Sequence, residues 1–139
     1  MRYSHLIVRV LISTLALLFS TTVCANAAEI RLVTNWADGD EAVIIFARNP
    51  LQTMTEIPFT IELRKNTGEL IRDAELALDL TMPSMPMPAN NPKAEWQDNA
   101  YRGKAIFTMA GAWQVNVEVH RPGNAAESIV FDIEMVVMQ

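Results

Sequence analysis

Between Glu29 and Met135, segment after segment places apolar residues at alternate positions, and that period of two constrains the chain more than any other feature. Successive side chains of a strand point to opposite faces, whereas a helix would show a period near 3.6. The most regular stretch is Trp113, Val115, Val117 and Val119, interleaved with Gln114, Asn116, Glu118 and His120. Phe59, Ile61 and Leu63 alternate with Thr60 and Glu62, and Leu76, Leu78, Leu80 and Met82 with Ala77, Asp79 and Thr81. Tyr101, Gly103, Ala105 and Phe107 oppose Arg102 and Lys104, while Ile129, Phe131, Ile133 and Met135 oppose Asp132 and Glu134. Ile30 and Leu32 lead to Trp36, and Ala42, Ile44 and Phe46 share one face. Turn-forming runs separate these segments: Asp38-Gly39-Asp40, Lys65-Asn66-Thr67-Gly68, Met109-Ala110-Gly111 and Arg121-Pro122-Gly123-Asn124. One apolar and one polar face per strand predicts antiparallel sheets with a single wet side. About seven such strands predict an all-β, immunoglobulin-like antiparallel β-sandwich. Pro58, near the start of the third strand, predicts an edge or first position for itself. Ala89 to Ala100 is polar and irregular and reads as a loop, with Trp96 expected to pack over the segment before it.

The N-terminus is of another kind. Arg2 and Arg9 precede the apolar run Val10–Phe19, and Ala25-Asn26-Ala27 offers the small-residue pattern of a cleavage site. Residues 1–27 therefore read as a cleavable signal peptide and 28–139 as a single domain in the periplasm. The apolar core is short against the roughly 20 residues that span a bilayer, which makes a retained membrane anchor the lesser alternative. Cleavage there removes Cys24, the only cysteine, and with it any thiol chemistry or disulfide. All 16 acidic residues but only 9 of the 11 basic ones lie in 28–139, which leaves that stretch at −7. With no basic cluster, neither nucleic acid nor direct lipid binding is expected.

Catalysis finds little material. A nucleophile needs a base beside it, and 28–139 holds one histidine, His120, at the end of a strand. Asp38 and Asp40 flank a glycine but no full calcium loop follows. The chain reads as no enzyme.

What remains is Met82-Pro83-Ser84-Met85-Pro86-Met87-Pro88, with three of the eight methionines each directly before a proline. Residues before proline are pushed toward extended backbone, and proline fixes its own φ and carries no donor. The run should be a stiff, extended strap displaying thioethers. Thioethers are soft ligands and select Cu(I). Met85 and Met87 are the freest candidates, Met82 completes the Leu76-Leu78-Leu80 face, and Met109 in a strand-end turn is the best further ligand, with Met54 behind it. Methionine also fills irregular gaps in cores, so a strap that merely covers the open end of the sandwich is the competing reading. An exposed apolar strap that docks a protein partner is a third.

The stretches PFTIELRKNTGELIRDAELALDLTM, MPSMPMP, YRGKAIFTMAGAWQVNVEV and SIVFDIEMV together resemble the YtkA-like/FixH-like family of exported β-sandwich domains, over most of residues 57–139. That resemblance implies an immunoglobulin-like domain outside the cytoplasmic membrane, connected with heavy-metal efflux or cytochrome oxidase assembly, with copper handling as the recurring theme. It also implies a partner among membrane transporters, efflux components or oxidase-assembly proteins. Relatives often carry a histidine shortly after the methionines, where this chain has Ala89-Asn90-Asn91. Anchored relatives keep an N-terminal helix, whereas the segment here reads as cleavable.

Overall fold

The computed structural model describes residues 28–139; the expected signal peptide and its cleavage site lie outside the described residues. Among the described residues nine strands form two sheets. The first sheet is ordered β1 (Ile30–Trp36), β2 (Asp40–Phe46), β4 (Glu56–Arg64), β7 (Ala100–Ile106), β6 (Ala94–Gln97). The second is ordered β3 (Leu51–Gln52), β9 (Glu127–Val137), β8 (Gly111–His120), β5 (Glu75–Thr81). Every pairing is antiparallel except β3 with β9. This is the expected all-β sandwich with two strands more than the alternation predicts.

The two extra strands were illegible for physical reasons. β3 has only two residues and pairs in parallel with the chain's last strand, Leu51 opposite Val136. β6 lies inside the predicted loop, and three of its four residues are exposed, so no apolar rhythm marks it. Trp96 accordingly does not cover the methionine-proline run. It sits on β6 opposite Tyr101, ring centroids 5.0 Å apart in an edge-on arrangement.

Pro58 corrects another expectation, because β4 is an inner strand, between β2 and β7. The N–H and C=O of one strand residue point the same way. The Pro58 carbonyl accepts from Ala47 N–H (3.0 Å), one residue past the end of β2 at Phe46. The missing donor thus faces Ala47, at the very end of the β2 ladder, so the proline forgoes at most one bond there while its carbonyl keeps the other.

The core lies between the sheets, and its aromatic spine is edge-to-face: Phe46 with Phe107 at 5.9 Å and Phe107 with Trp113 at 5.3 Å. Such pairs add to area burial, which at roughly 25 cal/mol per Å² is the main stabilising term. Trp113 is buried, as the alternation predicts. Tyr101 is buried too, and its hydroxyl donates to the Ile71 carbonyl (2.9 Å) and accepts from Ala74 N–H (3.1 Å). Burial pushes the Tyr101 phenol above its usual pKa, the Ala74 N–H opposes the rise, and Asp73 adds to it.

At the His120 end, Arg121 closes the sandwich. Its guanidinium bonds Glu127 (2.7 Å) and lies 5.0 Å from the Trp36 ring centroid, with Asp40 at 3.7 Å. Among the described residues no helix is long and apolar enough to cross a membrane.

Candidate metal centre at one end of the sandwich

At the opposite end from His120, the chain crosses between the sheets through Phe107–Ala110, the link from β7 to β8. Methionines surround this link. Six of the seven among the described residues sit on it or on segments next to it: Met54, Met82, Met85, Met87, Met109 and Met138.

Met109 is on the link itself, 42% exposed, and its carbonyl accepts the Trp113 indole N–H at 2.9 Å. The core's largest side chain thereby holds the backbone of a surface methionine. Met54 adjoins from the other side, its N–H donating to the Phe107 carbonyl at 2.8 Å. Met138 follows β9, where the Val137 carbonyl accepts Thr53 N–H (2.9 Å) and Gln139 N–H donates to Thr53 Oγ1 (3.2 Å). Met54 and Met138 are the most exposed of the large apolar side chains, at 67% and 74%.

The methionine-proline run is no free extended strap. Met82 and Met85 pair across a tight turn, Met85 N–H reaching the Met82 carbonyl at 3.3 Å. Pro83 occupies the turn position that its fixed φ suits, and Ser84 follows it. Only after Met85, itself before Pro86, does the chain extend. It then runs back along β5, with Leu80 N–H donating to the Asn90 carbonyl (2.9 Å) and Asn91 Nδ2 to the Leu78 carbonyl (2.8 Å). The free edge of β5 is covered, and Asn90 Nδ2 ties the run to the Ile106 carbonyl (2.9 Å) on the other sheet. The Asn90-Asn91 pair is thus the clasp that holds the methionines against the sandwich end.

These contacts sort the methionines. Met82 is buried on the core face, as its alternation with Leu76, Leu78 and Leu80 predicts. Its methyl lies 3.0 Å from where a Cβ on Gly111 would stand, and Gly111 has φ +126°. Met87 is half-buried against the core and lines a shallow cleft with Pro88, Asn90, Ile106 and Thr108. Met85 projects from the turn, 41% exposed. Met85 and Met109 therefore present thioethers to solvent, Met87 partly so, and Met82 only if it leaves the core.

Met135 shows where sequence reading slipped. The alternation puts it inward, yet it is 57% exposed and Val136 is buried instead. A bulge between Gly111 and Trp113 shifts the register, from Trp113 opposite Ile133 to Gly111 opposite Val136. An extra residue in a ladder exchanges the faces beyond it. Met138 was missed altogether, since its place depends on the parallel β3–β9 contact.

Harder ligands are scarce. Among the described residues no three of His, Cys, Asp and Glu are grouped as a metal site. Glu56, two residues after Met54, is engaged by Lys104 at 2.7 Å. His120 lies at the far end of β8 beside Glu118, Nε2 to Oε1 2.9 Å. The rim offers sulfur.

The sequence profile of the family described as YtkA-like matches residues 34–118. Two solved structures of FetP from uropathogenic Escherichia coli strain F11 resemble the fold at 10% identity. The as-isolated protein, produced in the E. coli periplasm, gives a TM-score of 0.55 over 78% of this chain and 97% of that one. A copper-bound variant gives 0.53 over 78% and 98%. No curated protein matches in sequence.

Proposed function

The chain belongs to the YtkA-like family, and from that premise we propose that it is a non-catalytic accessory domain of the periplasm that binds Cu(I) through its methionine-rich end and passes it on. The observation that carries this reading is the convergence of Met85, Met87 and Met109 on one end of the sandwich, with Met82 beneath them. Thioether sulfur prefers a soft monovalent ion to zinc, magnesium or calcium. A copper-bound FetP variant of the same fold supports the choice of metal. Met85 and Met87 are the first ligands, held in place by Pro86, Pro88 and the Asn90-Asn91 clasp, and Met109 joins them from the link. Shallow coordination at a surface suits exchange, in which a partner with a better ligand set takes the ion. That partner is a membrane transporter, efflux component or oxidase-assembly protein. Export follows from the leader, with residues 28–139 as the mature domain after cleavage at Ala27.

A Cu(I) competition titration against a chromophoric chelator tests the reading. Wild type should withdraw copper from the chelator, and Met85→Ile with Met87→Ile should not. Equal binding by the two proteins sinks it.

One observation favours a second reading. Met54, Met85, Ile106, Met109 and Met138 are all exposed, which makes the same end an apolar patch suited to protein contact. A metal-free docking module would show no Cu(I) affinity and would lose its partner when Met85 and Met109 become polar.

A further inference from the structure

Met54 is the residue at this end whose backbone and side chain are in conflict. Its φ is +53°, in the left-handed region, where a long side chain is disfavoured and Gly or Asn is the ordinary occupant. Nothing in the core requires methionine there, because the side chain is 67% exposed. The strained turn is nevertheless held firmly. Met54 N–H donates to the Phe107 carbonyl (2.8 Å), Thr53 bridges Phe107 and bonds the Val137 carbonyl (2.9 Å), and Thr55 Oγ1 donates to the Thr53 carbonyl (3.2 Å). A costly conformation fixed by its surroundings, carrying an exposed soft donor, is the pattern expected of a functional position. The fixed backbone sets Met54 against the same link that carries Met109, whose carbonyl is bonded in turn by Trp113.

We infer that Met54 is a ligand of the soft-metal site, so that the ion is held between Met54 and Met109 on one side and the methionine-proline turn on the other. The inference rests on the Cu(I) reading above and completes it: Met85 and Met87 supply two sulfurs at most, and the buried Met82 is spent on the core. The backbones of Met54 and Met109 are fixed, the one by its bond to the Phe107 carbonyl and the other by the Trp113 indole. The Met85 turn, tied by a single 3.3 Å bond, is the part that adjusts.

The test uses Ag(I), a soft monovalent ion with no redox chemistry of its own, on protein labelled at the methionine methyl carbons. Single Met→Leu variants assign the methyl resonances. On addition of one equivalent of silver nitrate, the Met54 and Met109 methyls should shift together with Met85 or Met87. Met54→Gly supplies the affinity measurement without a folding penalty, since glycine accepts the +53° backbone. That variant should unfold at higher urea than wild type and bind Ag(I) about tenfold or more weaker, as expected for disturbing a metal's ligand shell. If Met85, Met87 and Met109 respond and Met54 does not, Met54 is no ligand while the Cu(I) reading stands. If no methyl responds at stoichiometric silver, the Cu(I) reading falls and this one with it. Undiminished affinity in Met54→Gly overturns the inference whatever the spectra show.

Discussion

Replacing Gly111 by alanine attacks the methionine-rich end through its foundation. Two costs arise at once. Gly111 has φ +126°, a backbone that L-residues rarely adopt, at about 1–3 kcal/mol. The new Cβ would also stand 3.0 Å from the Met82 methyl, tighter than ordinary van der Waals contact. Met82 is unbranched and can swing aside, but it is buried among Leu80 and Trp113, so moving it forfeits packing. Crowding of this kind costs about 1 kcal/mol or more. The sum, about 2–4 kcal/mol, should lower the melting temperature by roughly 8–16 °C at about 4 °C per kcal/mol for a domain of this size. Urea denaturation of Gly111→Ala, Met82→Ala and the double variant separates the two terms. Met82→Ala alone costs about 2–5 kcal/mol for a buried side chain lost. In its background Gly111→Ala should cost about 1 kcal/mol less than in wild type, because the methyl is gone and only backbone strain remains. A Gly111→Ala protein within about 0.5 kcal/mol of wild type would refute the strain argument, since surface changes away from special features stay in that range. Strict additivity would refute the contact with Met82.

Two further outcomes follow from single side chains. Tyr101→Phe removes the donor to Ile71 and leaves Ala74 N–H without its acceptor, which should cost about 1–3 kcal/mol near neutral pH by chemical denaturation. Because burial raises the phenol's pKa in the folded state, its contribution is fully present below the unfolded value of about 10 and is lost as pH rises through the folded one. Wild type should therefore lose stability in alkali faster than Tyr101→Phe, and phenolate absorbance reports the titration directly; parallel alkaline curves would contradict this. Arg121→Ala removes the Glu127 pair and the guanidinium over Trp36, both little exposed, for about 1–3 kcal/mol in a thermal melt. Partly buried charges are weakly screened, so the loss should persist at high salt, and its disappearance there would mark the pair as superficial.

Much of this protein is legible without its structure. Alternation fixed by the two-fold pleat located seven strands, and Trp113, Val115, Val117 and Val119 are buried where the pattern puts them. Met82 was readable as a core residue for the same reason. The family resemblance, carried by four stretches of sequence, agrees with the profile match over residues 34–118. Local rules failed where a non-local contact outweighed them. Prolines at 83, 86 and 88 argue for an extended strap, but Pro83 serves a turn and the rest pairs with β5 through Asn90 and Asn91. Pro58 argues for an edge, yet lies where the neighbouring strand has already ended.

The composition of the candidate site divides along the same line. Sequence alone determined which chemistry was on offer: methionine sulfur before proline, and within residues 28–139 one distant histidine and no cysteine. It determined too that those methionines would ride on a sandwich, because alternation is a local consequence of strand geometry. Only the tertiary structure decided which sulfurs share an end. Met54, Met109 and Met138 come to one end because β3 pairs in parallel with β9 and Thr53 bridges to Phe107, contacts between residues more than fifty positions apart. A single strand's pattern records which side faces the core. It carries no record of which other strand lies beside it.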